Sequence, residues 1–266
     1  MHGEWWSRVS SGWVSADEGA GKVTVTAHRP YHSLLGAPAD LPPFAAYEVS
    51  LPEDPLPTLA PGEEALLSSA MVQSRKDELA RGRAAAHACL RSLNLDRGPI
   101  LSGVHREPIW PSGARGSIAH TAGMAVAMAA PATLTDGVGV DIELFRTAPE
   151  LRGQVLLPEE RSWIDCLPIS DRQAMTIAVF SAKESIFKAF FPRRREFFGF
   201  EIASVVSTAS GFEARLAEGF DTDYPPDRTL AVGSSWFANL VLTWVVLPSS
   251  SPSRPAYARQ VEASSK

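Results

Sequence analysis

The segment from about Ser170 to Phe191 constrains the fold most, because it is patterned as a helix that is apolar on two sides. Met175, Val179, Ala182, Ile186 and Phe190 recur at spacings of three and four along one stripe. Phe180, Glu184, Phe187, Lys188 and Phe191 form a second stripe roughly opposite. A helix of this kind packs on both flanks, so its polar pair, Glu184 and Lys188, belongs at an interface or in a cleft. Taken alone, the pair equally suits an exposed i,i+4 contact that stabilises a helix by about 0.2–0.5 kcal/mol. Pro192 is the expected stop.

The fragment GVGVDIE, residues 137–143, adds a second constraint. Alternation in a strand sends Asp141 and Glu143 to one face, with Val140 and Ile142 on the other. Two like charges on one face repel unless solvent or a cation separates them, and either reading suits the fragment alone. Joined to Glu184 and Lys188, they suggest three carboxylates and a lysine held by a strand and a helix. An all-oxygen donor set suits magnesium better than zinc, which prefers nitrogen and sulfur. A metal held this way ordinarily also meets a substrate phosphate, and a lysine beside it suits a charged phosphate or leaving group. His120, at the end of PIWPSGARGSIAHT, can donate to a phosphate, as can backbone N–H groups in its Gly-rich approach. A lone histidine is more often structural.

Composition narrows the class. The chain has 266 residues, 45% hydrophobic and 21% charged, as in an ordinary globular protein. It holds no apolar run of the roughly 18 residues that span a bilayer, so no membrane insertion is expected. MHGEWWSRVSSGW lacks the pattern of a secretory signal. Cys89 and Cys166 are too far apart for a ligand-like spacing, which favours a reduced, cytoplasmic setting. A net charge of −5 argues against a nucleic-acid partner. Basic residues still cluster at Arg75, Lys76, Arg81 and Arg83, and at Arg193, Arg194 and Arg195. Such patches suit a phosphorylated small molecule or an acidic protein, or are solvated helix faces.

Along the chain, VTVTAH and FAAYEV read as short strands, and helical pattern runs from Glu63 to about Leu93, as one helix or two. MAVAMAA and VGVDIEL read as neighbouring strands joined by PATLTDG. A helix over Leu151–Cys166 breaks at Pro158, and EIASVV, GFEARLA, TLAVGSSWF and LVLTWVVL read as strands. The fold class is therefore α+β, with a long helix and a few strands in each half.

Four motifs in order carry a family likeness: RKDELARGR (75–83), REPIWPSGARGSIAH (106–120), GVGVDIE (137–143) and FSAKESIFKA (180–189). Together they resemble the 4′-phosphopantetheinyl transferases of the large, surfactin-synthetase-activating type, and within it the enterobactin synthase component D branch. The resemblance covers about residues 60–205. It implies two related α/β lobes in a pseudo-twofold arrangement, with the active site in the cleft between them. The corresponding boundaries are an N-terminal lobe over 1–133 and a C-terminal lobe over 134–248, while the Ser-, Pro- and Ala-rich stretch over 249–266 reads from its composition as a disordered tail. It further implies a monomer.

The implied reaction moves phosphopantetheine from coenzyme A to a serine hydroxyl of an apo acyl, peptidyl or aryl carrier protein, releasing adenosine 3′,5′-bisphosphate, with Mg2+ required. In the resemblance, Asp141, Glu143 and Glu184 are the metal acids. Glu184 is also the candidate base, directly or through water, and Lys188 acts on the phosphate and the departing group. Arg83 and His120 fall on positions that contact coenzyme A phosphates, with Arg75 and Arg106 as weaker candidates. Ala119 stands where many relatives have Ser, and Phe180 where many have Trp. Two other readings remain at this point. A metal-dependent phosphodiesterase or nuclease could use the same acids, and a noncatalytic coenzyme A-binding module would need only the phosphate contacts.

Overall fold

The computed structural model of the protein describes residues 38, 40–146, 149–225, 227–237 and 239–250. The chain forms β1 (Ala46–Ser50), α1 (Gln73–Ser92), the short pair β2 (Leu101–Ser102) and β3 (Pro108–Ile109), β4 (Ala114–Thr121), β5 (Met124–Pro131) and β6 (Thr135–Leu144). It continues through α2 (Pro149–Gln154), α3 (Pro158–Asp165), α4 (Ile169–Arg194), β7 (Ala203–Thr208), β8 (Gly211–Leu216), β9 (Thr229–Trp236) and β10 (Leu240–Pro248). This is the expected α+β class. VTVTAH lies outside the described residues. So does the expected tail beyond Ser250, while Ser249 and Ser250, where that tail is expected to begin, bond back to Leu134 and Asp136.

Two expectations are corrected. MAVAMAA and VGVDIEL follow one another across a short turn but hydrogen-bond into different sheets, ordered β1-β5-β4 and β6-β10-β9-β8-β7. The strand that pairs with β5 on its inner side is β4, which carries His120 and turns into β5 through Ala122 and Gly123, at φ of 49° and 78°. Positive φ at both central residues is the backbone of a type I′ hairpin. The helical pattern from Glu63 divides, as one of its two readings expects, and only its second part is an α-helix. A 3-10 turn covers Glu64–Leu66, and Ser68 Oγ accepts the Ala70 N–H at 3.2 Å, a side-chain turn that competes with helix until Gln73. Lastly, Pro192 lies inside α4, where it removes only the bond to the Lys188 carbonyl. The helix closes at Arg195, in the left-handed region, whose N–H reaches the Phe191 carbonyl at 2.8 Å.

The layers follow from strand alternation. In β6, Val138, Val140 and Ile142 face the smaller sheet and share a core with Val126, Met128, Leu240, Leu242 and Trp244. In β10, Val241, Val245 and Leu247 point the other way, into a core with Val179, Ala182, Ile186 and Phe190 of α4. Helix α1 covers the outer face of the smaller sheet through Ala85, Ala86, Cys89 and Leu90, against Ala127 and Ala129. The order is helix, three strands, five strands, helix. Strand β5 is buried on both faces, which explains its small apolar composition.

Helix α4 lies on β6 backbone to backbone. A Cβ at Gly137 would stand 2.2 Å from the Ala189 carbonyl oxygen, and one at Gly139 would stand 1.8 Å from that of Ser185. Four helical residues rise about 6 Å and two strand residues about 6.7 Å, so successive turns meet successive odd positions of the strand. The other flank of α4 is fixed by a buried ion pair, Lys183 Nζ to Glu160 Oε2 at 2.8 Å, which the sequence reading missed. Glu160 also accepts the N–H groups of Leu157 at 2.7 Å and Val205 at 2.8 Å. Burial pushes the Lys183 pKa down, and Glu160 opposes that shift.

Gly139→Ala is expected to cost about 3 kcal/mol or more in urea unfolding, since backbone rather than a flexible side chain blocks the methyl. Gly153→Ala, where a Cβ meets nothing within 4 Å, should change stability by under about 1 kcal/mol. Equal effects in the two variants would refute the close approach.

Candidate active site

The odd positions of β6 past Gly139 are Asp141 and Glu143, so the acids continue the face that α4 covers. They look across at Glu184 and Lys188. Lys188 does not pair along the helix with Glu184. It crosses to the strand, where Nζ meets Asp141 Oδ1 at 2.6 Å and donates to the Val140 carbonyl at 3.2 Å. Asp141 Oδ2 is buried without a hydrogen-bond partner. Glu143 has Arg146 at 3.8 Å.

The carboxylates press on one another. Burial, reinforced by the Asp141 charge, raises the Glu143 pKa to about 8. Burial raises Glu184 to about 7, with Lys188 opposing the shift and Asp141 adding to it. Lys188 is shifted upward despite burial, because Asp141 and Glu184 favour its charged form.

A second cluster joins α1 to β4. Arg75 Nη1 lies 2.7 Å from His120 Nε2 and 3.1 Å from Glu78 Oε2, and His120 Nδ1 lies 3.7 Å from the same carboxylate. Arginine only donates, so Nε2 accepts and the ring is neutral with its proton on Nδ1. Burial first, then the Arg75 charge, pushes the His120 pKa down to about 4. Lys188 and Asp141 also act on that ring, which puts the two clusters within electrostatic reach. Glu78 was not singled out from sequence; its place three residues beyond Arg75 on a helix was the available signal.

The other basic residues divide by role. Arg83 is buried, its Nε on the Ile100 carbonyl at 2.6 Å and its Nη2 on Leu101 and Ser102 at 3.3 Å, leaving Nη1 outside these bonds. Burial lowers its pKa to about 10. Arg81 clamps the carbonyls of Leu51, Pro52 and Asp54. Arg106 stands exposed at the tip of the β2–β3 hairpin, with φ of 66°. His105 beside it packs edge-on against Phe191 and Phe197, at 5.7 and 4.9 Å. Arg193 pairs with Asp136, Asp221 and Asp223, and Arg194 caps the Phe220 carbonyl and ring.

Among the described residues no three of His, Cys, Asp and Glu are drawn into a ready ligand shell. The chemistry of the acids nonetheless fits a hard cation. Every donor is oxygen, the charges repel one another, and Asp141 Oδ2 is orphaned in the interior.

The comparisons agree with the motifs. Residues 62–130 match the model of the 4′-phosphopantetheinyl transferase N-terminal domain, and residues 137–233 that of the 4′-phosphopantetheinyl transferase superfamily. The transferase Svp of Streptomyces mobaraensis is 36% identical over 183 residues, 66% of this chain and 74% of that protein. PptT of Mycobacterium tuberculosis is 34% identical over 197 residues, 70% of this chain and 85% of that protein. Enterobactin synthase component D of Salmonella typhi is 36% identical over 179 residues, 65% of this chain and 72% of that protein. The chain belongs to the 4′-phosphopantetheinyl transferase superfamily, and it is an enzyme of that class. No described helix is long and apolar enough to cross a membrane.

A carboxyl whose pKa is raised by folding contributes stability while protonated and loses it as pH rises through the folded value, here about 7 for Glu184 and about 8 for Glu143. In EDTA, urea midpoints should therefore fall from about pH 5 to about pH 8.5, and Glu143→Gln should flatten that slope. An unchanged slope in the variant would mean that Glu143 titrates as an ordinary solvated acid.

Proposed function

We propose that the protein transfers the 4′-phosphopantetheine group of coenzyme A to a serine hydroxyl of an apo acyl, peptidyl or aryl carrier protein, releasing adenosine 3′,5′-bisphosphate, with Mg2+ required. The observation that supports it best is the meeting of the Lys188–Asp141 pair, Glu143 and Glu184 with the Arg75–His120 cluster, across two layers of the fold. One cluster is acidic with a lysine, and the other presents cationic and hydrogen-bonding groups suited to phosphate. A substrate bearing a pyrophosphate and a separate phosphate monoester needs both.

Asp141, Glu143 and Glu184 would hold the magnesium ion. When bound, it neutralises charge on the pyrophosphate. Glu184, poised near pH 7, takes the serine proton as the hydroxyl oxygen attacks the phosphorus. Lys188 keeps its charge and stabilises the departing bisphosphate oxygen. Arg75 and His120 bind the phosphate monoester, and Arg83 reaches it through Nη1. Arg106 and Arg195, both exposed, add positive charge on the side from which an acidic carrier approaches. A two-lobed pseudo-twofold relation between the layers, lobe limits at 133 and 134, a monomer and a cytoplasmic setting belong to the same proposal.

The test is intact-mass analysis of apo carrier proteins of the three kinds incubated with the protein, coenzyme A and magnesium. One added phosphopantetheine is expected, lost in EDTA and reduced about 10²-fold or more in rate by Glu184→Ala. A folded protein that modifies none of the carriers overturns the assignment. Magnesium alone should raise the melting temperature, more at about pH 8.5 than at about pH 6, because protons compete for the same oxygens.

A further inference from the structure

Thr243 of β10 lies directly opposite Asp141 of β6, so the two side chains share the face covered by α4. Its Oγ1 is 2.9 Å from Ser181 Oγ and 2.7 Å from Ser185 Oγ, and Ser185 Oγ donates to the Thr243 carbonyl at 3.0 Å. All three residues are 0% exposed. One assignment uses each hydroxyl hydrogen once: Ser181 to Thr243 Oγ1, Thr243 to Ser185 Oγ, and Ser185 to the Thr243 carbonyl. Ser181 and Ser185 bracket Glu184 on one turn of α4, and Lys188 follows one turn on. An apolar contact carries no preferred direction of its own. A closed set of directional bonds in a dry interior fixes one height.

We infer that Ser181, Ser185 and Thr243 are positioning residues for the proposed transfer, setting the height of Glu184 and Lys188 above Asp141. The inference rests on the proposed function for its kinetic reading, but its geometric content stands apart from it. Gly139 meets the Ser185 carbonyl, so the same residue touches the strand through its backbone and the neighbouring strand through its hydroxyl. Glu184, the residue just before it, has its direction set from two sides.

The test uses the full chain with Thr243→Val, which keeps the shape and removes the hydroxyl, and Thr243→Ser, which restores it. A displacement near 1 Å at a reacting group can cost about 10²-fold, so Thr243→Val should lower kcat by about that factor with KM for coenzyme A within about twofold. Thr243→Ser should return kcat to within about threefold of the parent. Melting curves establish that both variants are folded at the assay temperature. A folded Thr243→Val protein with parental kcat, or a Ser variant as slow as the Val variant, overturns the inference. A crystal structure of Thr243→Val gives a readout free of activity, in which Lys188 Nζ and Asp141 Oδ1 should no longer meet at 2.6 Å. An unchanged pair there overturns the inference as well. If the parent modifies no carrier, the proposed function fails, and the crystallographic distance alone decides the positioning role.

Discussion

The structure depends on the backbone contact between α4 and β6. Two glycines let a helix settle onto a strand at a distance that side chains would forbid. The functional groups are therefore carried by backbones in contact rather than by side chains reaching across a gap. The match between a helical turn and two strand residues keeps that contact going, so the acids at Asp141 and Glu143 arrive where the helix presents Glu184 and Lys188. The rest of the fold supports this junction. The smaller sheet packs on the far face of β6, and α2, α3 and β7 hold the outer flank of α4.

That outer flank shows how consecutive residues serve opposite sides of one helix. Lys183 is buried against Glu160 and against the carbonyls of Val155 and Phe200. Glu184, one residue on, turns about 100° away and looks toward β6. A buried ion pair is weak evidence of net stability, but removing one partner strands a charge, so the pair resists any rotation of the helix that would separate it. Rotation about the helix axis is the motion that would carry Glu184 out of the site.

Much of this was legible in the chain, and the failures share a cause. The two-sided apolar pattern of 170–191 gave the helix and its double packing, and alternation in GVGVDIE placed both acids on one face. Sequence could not show that Lys188 prefers Asp141 to Glu184, because a strand and a helix compete for it only once folded. It could not separate the arginines of RKDELARGR either, since spacing reports a helix face and not what lies above it. Arg81 and Arg83 end on backbone carbonyls of other segments, and Arg75 ends on His120. The pairing expected between MAVAMAA and VGVDIEL failed because a short turn signal fixes proximity along the chain and not which edge a strand joins. The α-helix starts at Gln73 and not near Glu63, because Glu63 is helix-like in type but its carboxylate turns inward to His87 and to the Ile100 N–H.

Strand β6 addresses two audiences, its even positions an apolar layer between sheets and its odd positions the helix. A slip of one residue exchanges them. Asp141 and Glu143 would then stand among Met128, Leu240 and Leu242, while Val140 and Ile142 faced Lys188. Two unpaired charges in that layer cost more than any misregistered pairing returns. The acids thus act as proofreaders of assembly. A chain that has paired β6 wrongly cannot close its core, so every copy that folds has its acids facing the helix.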